Sequence, residues 1–284
     1  MDDSKFLITG ANGQLGLALQ SKYPNARASD SKDLDIKDWD AVKNFDWGNI
    51  TTILNTAAYT DVDGAETSDG RPAAWKVNAV GPGNLAKIAR EKDIIVVHIS
   101  SDYVFDGSQN SHTEEEPLSP LGVYGASKAA GDLVLSNYPK HYILRTSFVI
   151  GEGNNFVRIM LGLGQKGVGP SVIADQLGRI TFTGTLVGAI DHLLSKELPF
   201  GTYNVSNEGD PVSWAELTRA IFKEAGLNNI VSDTTTAEYY KDKPQTAARP
   251  LNSVFDLSKI EAAGFKPNDW RADLAKYIKK ESSK

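Results

Sequence analysis

The chain of 284 residues, 40% hydrophobic and carrying a net charge of −6, is long and apolar enough for a full core in one large domain or two unequal lobes, and too acidic for a nucleic-acid surface. With no cysteine it has no disulfide, thiolate metal site or cysteine nucleophile, and its four histidines lack metal-ligand spacing. No stretch approaches the ~20 apolar residues of a membrane span, and "MDDSKFLITG" leaves no room for a targeting signal ahead of Gly10, so a cytoplasmic protein with a small-molecule partner is expected.

The first apolar run, "KFLITG" (5–10), reads as a buried strand and opens into "ITGANGQLG", with Gly10, Gly13 and Gly16 at the mouth of a helix over 13–22. Glycines there permit a tight turn, let backbone N–H groups approach a pyrophosphate and allow close helix–strand packing. A second strand, "NARAS" (25–29), ends on Asp30, 20 residues past Gly10. A carboxylate in that position accepts hydrogen bonds from the adenosine ribose and repels a 2′-phosphate, which favours NADH; Lys32 and Arg27 nearby leave NADPH open. Asp35 and Ile36 follow as candidates to border the adenine, ahead of a helix over 37–45.

The third strand, "TTILNT" (51–56), ends at Ala57 and Ala58, small enough to admit the middle of a dinucleotide. A helix over 72–92 leads to the fourth strand, "IIVVHISS" (94–101), and a helix over 123–138 leads to "YILRTSFVI" (142–150). Strands and helices in alternation predict right-handed crossovers and a parallel sheet covered on both faces, with sites at the C-terminal strand ends. The fold class is therefore α/β: a Rossmann-type doubly wound parallel sheet over 1–150 that binds NAD(P), with a smaller C-terminal α/β substrate-binding lobe. That lobe, mainly 151–284, has some segments returning to the first.

Beyond Ile150 the pattern loosens. Helices are predicted over 156–166, 184–196, 213–226, 256–263 and 269–282, with a strand at "TYNVSN" (202–207). Ser213 followed by Glu216 forms a capping box for the helix at 213. Lys279–Lys284 reads as a solvated end.

In "VYGASKAAGD" (123–132), Tyr124 and Lys128 stand four apart among small residues and share a helix face. An ammonium near a phenol stabilises the phenolate, so this pair predicts a tyrosine with a lowered pKa, a lysine that also holds the nicotinamide ribose, and Ser101 aligning the substrate oxygen. Arg249 in "ARP" and Arg179 in "DQLGRIT" are cations able to clamp a diphosphate; Asn154 and Asn155 offer amides.

The glycine loop and the Ser, Tyr-x-x-x-Lys set resemble the extended short-chain dehydrogenase/reductases. The motifs "GANGQLG", "NTAAYTDVDGAE", "HISSDYVFDG", "PLSPLGVYGASKAAGD", "LRTSFVIGEGNNFV" and "DQLGRIT", spread over nearly the whole chain, are similar to the dTDP-4-dehydrorhamnose reductase branch. The resemblance implies cofactor contacts from Gly13, Gln14, Leu15, Asp30, Asp35, Ile36, Ala57, Ala58, Tyr59, Tyr124 and Lys128, and sugar contacts from Ser101 and Asp102. Members commonly carry Thr in place of Ser101, and some carry Trp in place of Phe148, which here packs on the sugar without an indole N–H. Dehydratases of the family have an Asp-Glu pair after the Ser/Thr; Asp102 and Tyr103 stand there in this chain, which favours simple reduction of a nucleotide 4-keto sugar. The same fold also serves as a non-catalytic regulatory subunit of methionine adenosyltransferase. Some relatives form Mg2+-bridged dimers, so a monomer or homodimer is expected; the C-terminal helix carries no decisive acidic cluster.

Overall fold

Leu7 and Ile8, neighbours in β1 (Phe6–Thr9), are both fully buried, each in a different apolar cluster. Successive strand residues point to opposite faces, so the sheet is covered on both sides. The computed structural model describes residues 1–243 and 245–283. In it β1, β2 (Arg27–Ser29), β3 (Thr52–Asn55), β4 (Ile95–Ser101) and β5 (His141–Thr146) form a parallel sheet. One face carries α1 (Gln14–Lys22); the other carries α2 (Trp39–Asn44) and α4 (Gly81–Lys92). The last crossover before β5 is α5 (Val123–Ser136).

The helix expected over 72–92 is broken in the middle. α3 (Gly70–Trp75) passes through a π-helical turn at Lys76–Val80 before α4 begins, and the Gly81 N–H bonds back to the Lys76 carbonyl. Pro82 explains the bulge: it has no N–H for the carbonyl of Asn78, and its ring would crowd that carbonyl in a regular turn.

The strand expected over 142–150 is split at Phe148, whose φ of +47° leaves the extended region, into β5 and β6 (Val149–Ile150), and the second half supplies short strands that periodicity does not mark: β7 (Ser171–Ile173), β8 (Leu177–Gly178) and β9 (Thr181–Phe182). Then come β10 (Gly201–Asn204), β11 (Val212–Ser213), β12 (Ser232–Thr234) and β13 (Asn252–Ser253). β10 lies parallel to β5 and completes a six-stranded sheet in the order β10-β5-β4-β3-β1-β2. α7 (Thr183–Ser195) packs with α1 on that sheet, and Ile260 of α10 (Ser258–Ala262) joins the same core. The remaining helices are α6 (Phe156–Gln165), α8 (Trp214–Glu224), α9 (Thr236–Tyr240) and α11 (Trp270–Ser282); α6, α8 and α11 enclose a separate core around Phe222 and Trp270. The end expected to be solvated from Lys279 is helical through Ser282, with Lys280 paired to Glu152 at 2.5 Å; Lys284 lies outside the described residues.

Ser213 and Glu216 form the capping box read from the sequence, each side chain satisfying an amide of the first turn of α8. Ser213→Ala should therefore lower stability by about 1 kcal/mol and the melting temperature by a few degrees. Thermal unfolding followed by circular dichroism measures this, and an unchanged midpoint counts against the capping role.

Candidate active site

Parallel strands bring all their C-terminal ends to one edge, where the loops after β1 to β5 border a cleft of about 940 Å³. One end is backbone-rich. Gly10, at φ +69°, lies so near the β3 loop that a Cβ would sit 2.5 Å from the Ala57 nitrogen. Gly13 caps α1 without a side-chain hydrogen bond, so first-turn amides beside Gln14 and Leu15 face the cleft. Gly16 is set back and packs α1 on the carbonyls of Gly10 and Ala11. Asp30 is held in place: Asn12 donates to Oδ2 and the Lys32 amide to Oδ1, each at 2.8 Å. Asp35 is paired with Lys37, and Ile36 is buried at the cleft wall. Ala57, Ala58 and Tyr59 line the middle, Tyr59 being fixed by Asn78 of the π turn, which accepts from its N–H at 2.9 Å and donates to its carbonyl at 3.1 Å. Bare amides, small residues and a fixed ribose-side acid fit a dinucleotide.

The other end holds Ser101, Asp102, Tyr124, Lys128 and Phe148. At Gly125 a Cβ would overlap the Tyr103 carbonyl oxygen, so the small residues after Tyr124 let the 102–104 turn press against α5. Asp102 is buried; Ser101 donates to its Oδ1 at 2.9 Å, while Oδ2 makes no hydrogen bond of good geometry. Burial pushes its pKa up to about 6, offset in part by the hydroxyls of Ser253 and Ser101.

The expected lowering of the Tyr124 pKa is overturned. Burial pushes the phenol up to about 12; Ser101 pulls down, whereas Asp102 and Asp132 push further up. Lys128 is turned toward β4, donating to the Ile99 carbonyl at 2.6 Å and standing 3.5 Å from His98 Nε2. Its own pKa is driven down to about 8 by burial, with Asp132 opposing.

Three expected substrate contacts do not line this cleft. Arg179 donates to the carbonyls of Gly209 at 2.9 Å and Phe255 at 2.7 Å, bracing the smaller lobe. Arg249 is committed to Asp63 at 2.8 Å and to the Ala247 carbonyl at 2.9 Å. Asn155 caps α6, accepting from the Arg158 amide and donating to the Gly151 carbonyl and the Tyr277 hydroxyl. Its neighbour Asn154 does not line the cleft either. Conversely, the sequence reading missed Trp214, whose ring stacks on Phe148 at 3.8 Å and lines the cleft. The only available signal was a tryptophan directly after a helix cap. Another groove, about 1090 Å³, runs between α1, α7 and α11, with Lys22, Lys276 and Lys280 already in ion pairs. Among the described residues no group of three or more His, Cys, Asp or Glu is arranged to hold a metal, and no helix is long and apolar enough to cross a membrane.

The model of the family described as "RmlD substrate binding domain" matches residues 4–283. A dTDP-4-dehydrorhamnose reductase of Aggregatibacter actinomycetemcomitans is 39% identical over 293 residues, covering 95% of this chain and 97% of the relative. The chain belongs to the dTDP-4-dehydrorhamnose reductase family. Among solved structures, the reductase of Clostridium acetobutylicum superposes with a TM-score of 0.90 at 35% identity, covering 98% of this chain and 99% of the other. That of Bacillus anthracis, solved in complex with NADP, gives a TM-score of 0.88 at 35% identity and covers 97% and 98%. As a dTDP-4-dehydrorhamnose reductase family member the chain is an oxidoreductase using a nicotinamide cofactor.

Asp102 generates a pH-dependent prediction. Its carboxyl holds a proton more firmly folded, near pH 6, than unfolded, near 3.8, so the native state binds more protons between those values. The unliganded protein therefore loses stability as pH rises through this window, by about 3 kcal/mol in total. Asp102→Asn cannot ionise; its melting temperature relative to the parent should climb from pH 4 to pH 7 and then level. A difference that stays flat with pH would show that Asp102 titrates normally.

Proposed function

We propose that the protein reduces the C4 keto group of dTDP-4-dehydro-6-deoxy-L-mannose to give dTDP-L-rhamnose, for cell-surface polysaccharide synthesis. The observation that carries this reading is the meeting of Ser101, at the end of β4, with Tyr124 of α5 in the same cleft as the glycine loop. NAD(P)H, when bound, supplies the hydride to the carbonyl carbon. Tyr124 gives its proton to the carbonyl oxygen, and the Ser101 hydroxyl donates to that oxygen as negative charge develops. A phenol held near 12 keeps its proton at neutral pH, the state in which a reduction needs its acid. Lys128 offers N–H groups to the nicotinamide ribose. Asp102, with an unpaired buried oxygen, receives a sugar hydroxyl, and the stacked rings of Phe148 and Trp214 give the sugar an apolar wall.

Tyr103 occupies the position where a dehydratase carries its second carboxylate, so elimination of water has no acid–base pair here. The loops of the first lobe hold the dinucleotide and the smaller lobe closes the sugar end, in a cytoplasmic monomer or homodimer. On the cofactor, NADH is favoured: Arg27 is spent on the Asp46 carbonyl at 2.6 Å and on the Phe45 ring, leaving Asp30 to face a ribose rather than a 2′-phosphate. NADPH remains usable through Lys32.

Tyr124→Phe keeps the ring and removes the proton, so kcat should fall by roughly 10²–10⁴ while NADH affinity changes little. The assay needs purified protein, reduced cofactor and the dTDP-4-keto sugar generated in situ. Undiminished turnover in Tyr124→Phe would exclude Tyr124 as the acid, and a parent that binds cofactor without turnover would return the chain to the regulatory-subunit class. Asp30→Ala should raise the ratio of kcat/KM for NADPH over NADH about tenfold by removing the repulsion of a 2′-phosphate. An unchanged ratio takes Asp30 out of the ribose site.

A further inference from the structure

Thr9, Asn55 and His98 lie next to one another, in register, across β1, β3 and β4. All three are at most 1% exposed. Strands buried on both faces of a parallel sheet ordinarily carry apolar residues in such places, and here three polar side chains are joined end to end. Thr9 Oγ1 donates to Asn55 Oδ1 at 2.7 Å, and Asn55 Nδ2 donates to His98 Nδ1 at 2.8 Å. His98 Nε2 stands 3.5 Å from Lys128 Nζ, which donates to the Ile99 carbonyl at 2.6 Å. The row thus runs through three strands and stops at the lysine of the cleft.

An imidazole that accepts at Nδ1 carries its one proton at Nε2. A second proton is opposed by complete burial and by the charge of Lys128, which hold the His98 pKa well below its usual 6.5. The ring is therefore neutral, and it is pinned at the side away from Lys128 by an amide that is itself pinned by a hydroxyl. Its Nε2–H meets the Lys128 ammonium donor to donor, so the 3.5 Å contact is not a hydrogen bond: the ring edge limits how far the nitrogen can move, while the Ile99 carbonyl holds it.

We propose that His98, held by Asn55 and Thr9, is a positioning residue that fixes the Lys128 nitrogen where it can meet the nicotinamide ribose. This rests on the role given to Lys128 above. Nothing else in the catalytic set needs these three side chains: Ser101 and Tyr124 are placed by the end of β4 and by α5.

A double-mutant cycle tests it, using the full chain and NADPH titrated by fluorescence. His98→Leu should weaken NADPH affinity about 5- to 20-fold and lower kcat, with KM for the keto sugar moving less than about twofold. In a Lys128→Met background the same substitution should change affinity and kcat by less than about twofold, because the group it positions is gone. His98→Gln, which keeps a polar edge of similar reach beside the Lys128 nitrogen, should recover most of the affinity. If His98→Leu does not fold, Asn55→Ser, which releases the ring, replaces it in the cycle. Equal losses in both backgrounds, or a lowered melting temperature with affinity intact, would overturn the proposal and leave the row as a packing feature. A parent that binds NADPH but does not reduce the keto sugar refutes the proposed reaction while the affinity cycle still judges His98; a parent that binds no dinucleotide overturns both.

Discussion

The site depends on how α5 is fastened to the ends of β4 and β5. Lys128 is only 2% exposed, and a charge buried to that extent is costly unless its hydrogens and its field are met. The Ile99 carbonyl takes one hydrogen, and Asp132, one turn further along α5, balances the charge. Asp132 is itself buried and receives Arg145 Nε of β5 at 3.1 Å. Buried ion pairs are poor sources of net stability, yet losing one partner costs about 3–5 kcal/mol, so such a pair fixes position more than it adds strength. From the other side, Asn78 donates to Ser127 at 3.0 Å, tying α5 to the π turn. Tyr124 lies in the first turn of α5, just ahead of both fastenings, and its direction toward Ser101 follows from them.

The same constraint explains a gradation along the central strands, apart from the polar residues Thr52 and His141 that open β3 and β5. β1 begins Phe6-Leu7-Ile8 and ends at Thr9; β3 runs Ile53-Leu54 to Asn55; β5 runs Ile143-Leu144 to Arg145 and Thr146. β4 changes at His98 and closes on Ser100 and Ser101. The N-terminal halves of the strands fill the two cores, and the C-terminal halves support polar groups under the cleft. Apolar residues in the last positions would pack the sheet as well and would leave Lys128 without neighbours of matching chemistry.

This gradation is why so much was legible in the sequence. Apolar runs closing on Gly10, Ala57 and Ser101 mark both the strands and the cleft, and helix boundaries such as 269–282, found at 270–282, fall where caps and periodicity place them. What escaped was decided by tertiary contacts. Arg179 and Arg249 are the right residue types for a phosphate, but the carbonyls of Gly209 and Phe255 and the carboxylate of Asp63 claimed them, and no local pattern reveals a partner far away along the chain; Asn155 was taken locally, as the N-cap of α6. The Tyr124–Lys128 spacing correctly gave a shared helix face, yet an i, i+4 relation does not fix where a long lysine side chain ends. Two-residue strands such as β8 and β11 carry no periodicity to detect. The strand at 201–204 was legible as a strand, while its place beside β5 required the fold.

The sugar end differs physically from the cofactor end. The dinucleotide side is built from backbone amides and small residues of one lobe, which a short motif can encode. Phe148, by contrast, holds φ at +47°, a conformation that costs a non-glycine residue on the order of 1–3 kcal/mol. The strain is held by neighbours from the smaller lobe: Trp214 stacks on the ring, and Gly178 leaves the space its edge occupies, since a Cβ there would lie 2.9 Å from it. Phe148 follows β5, whereas Gly178 lies in β8 and Trp214 at the start of α8, so this wall of the cleft is a seam between distant segments of the chain. The shape of this cleft wall therefore depends on the irregular backbone at 146–149 and on where two separate apolar cores meet. That explains why the backbone-rich end of the cleft can be read from a nine-residue loop while the shape of this wall is written in residues scattered across the chain.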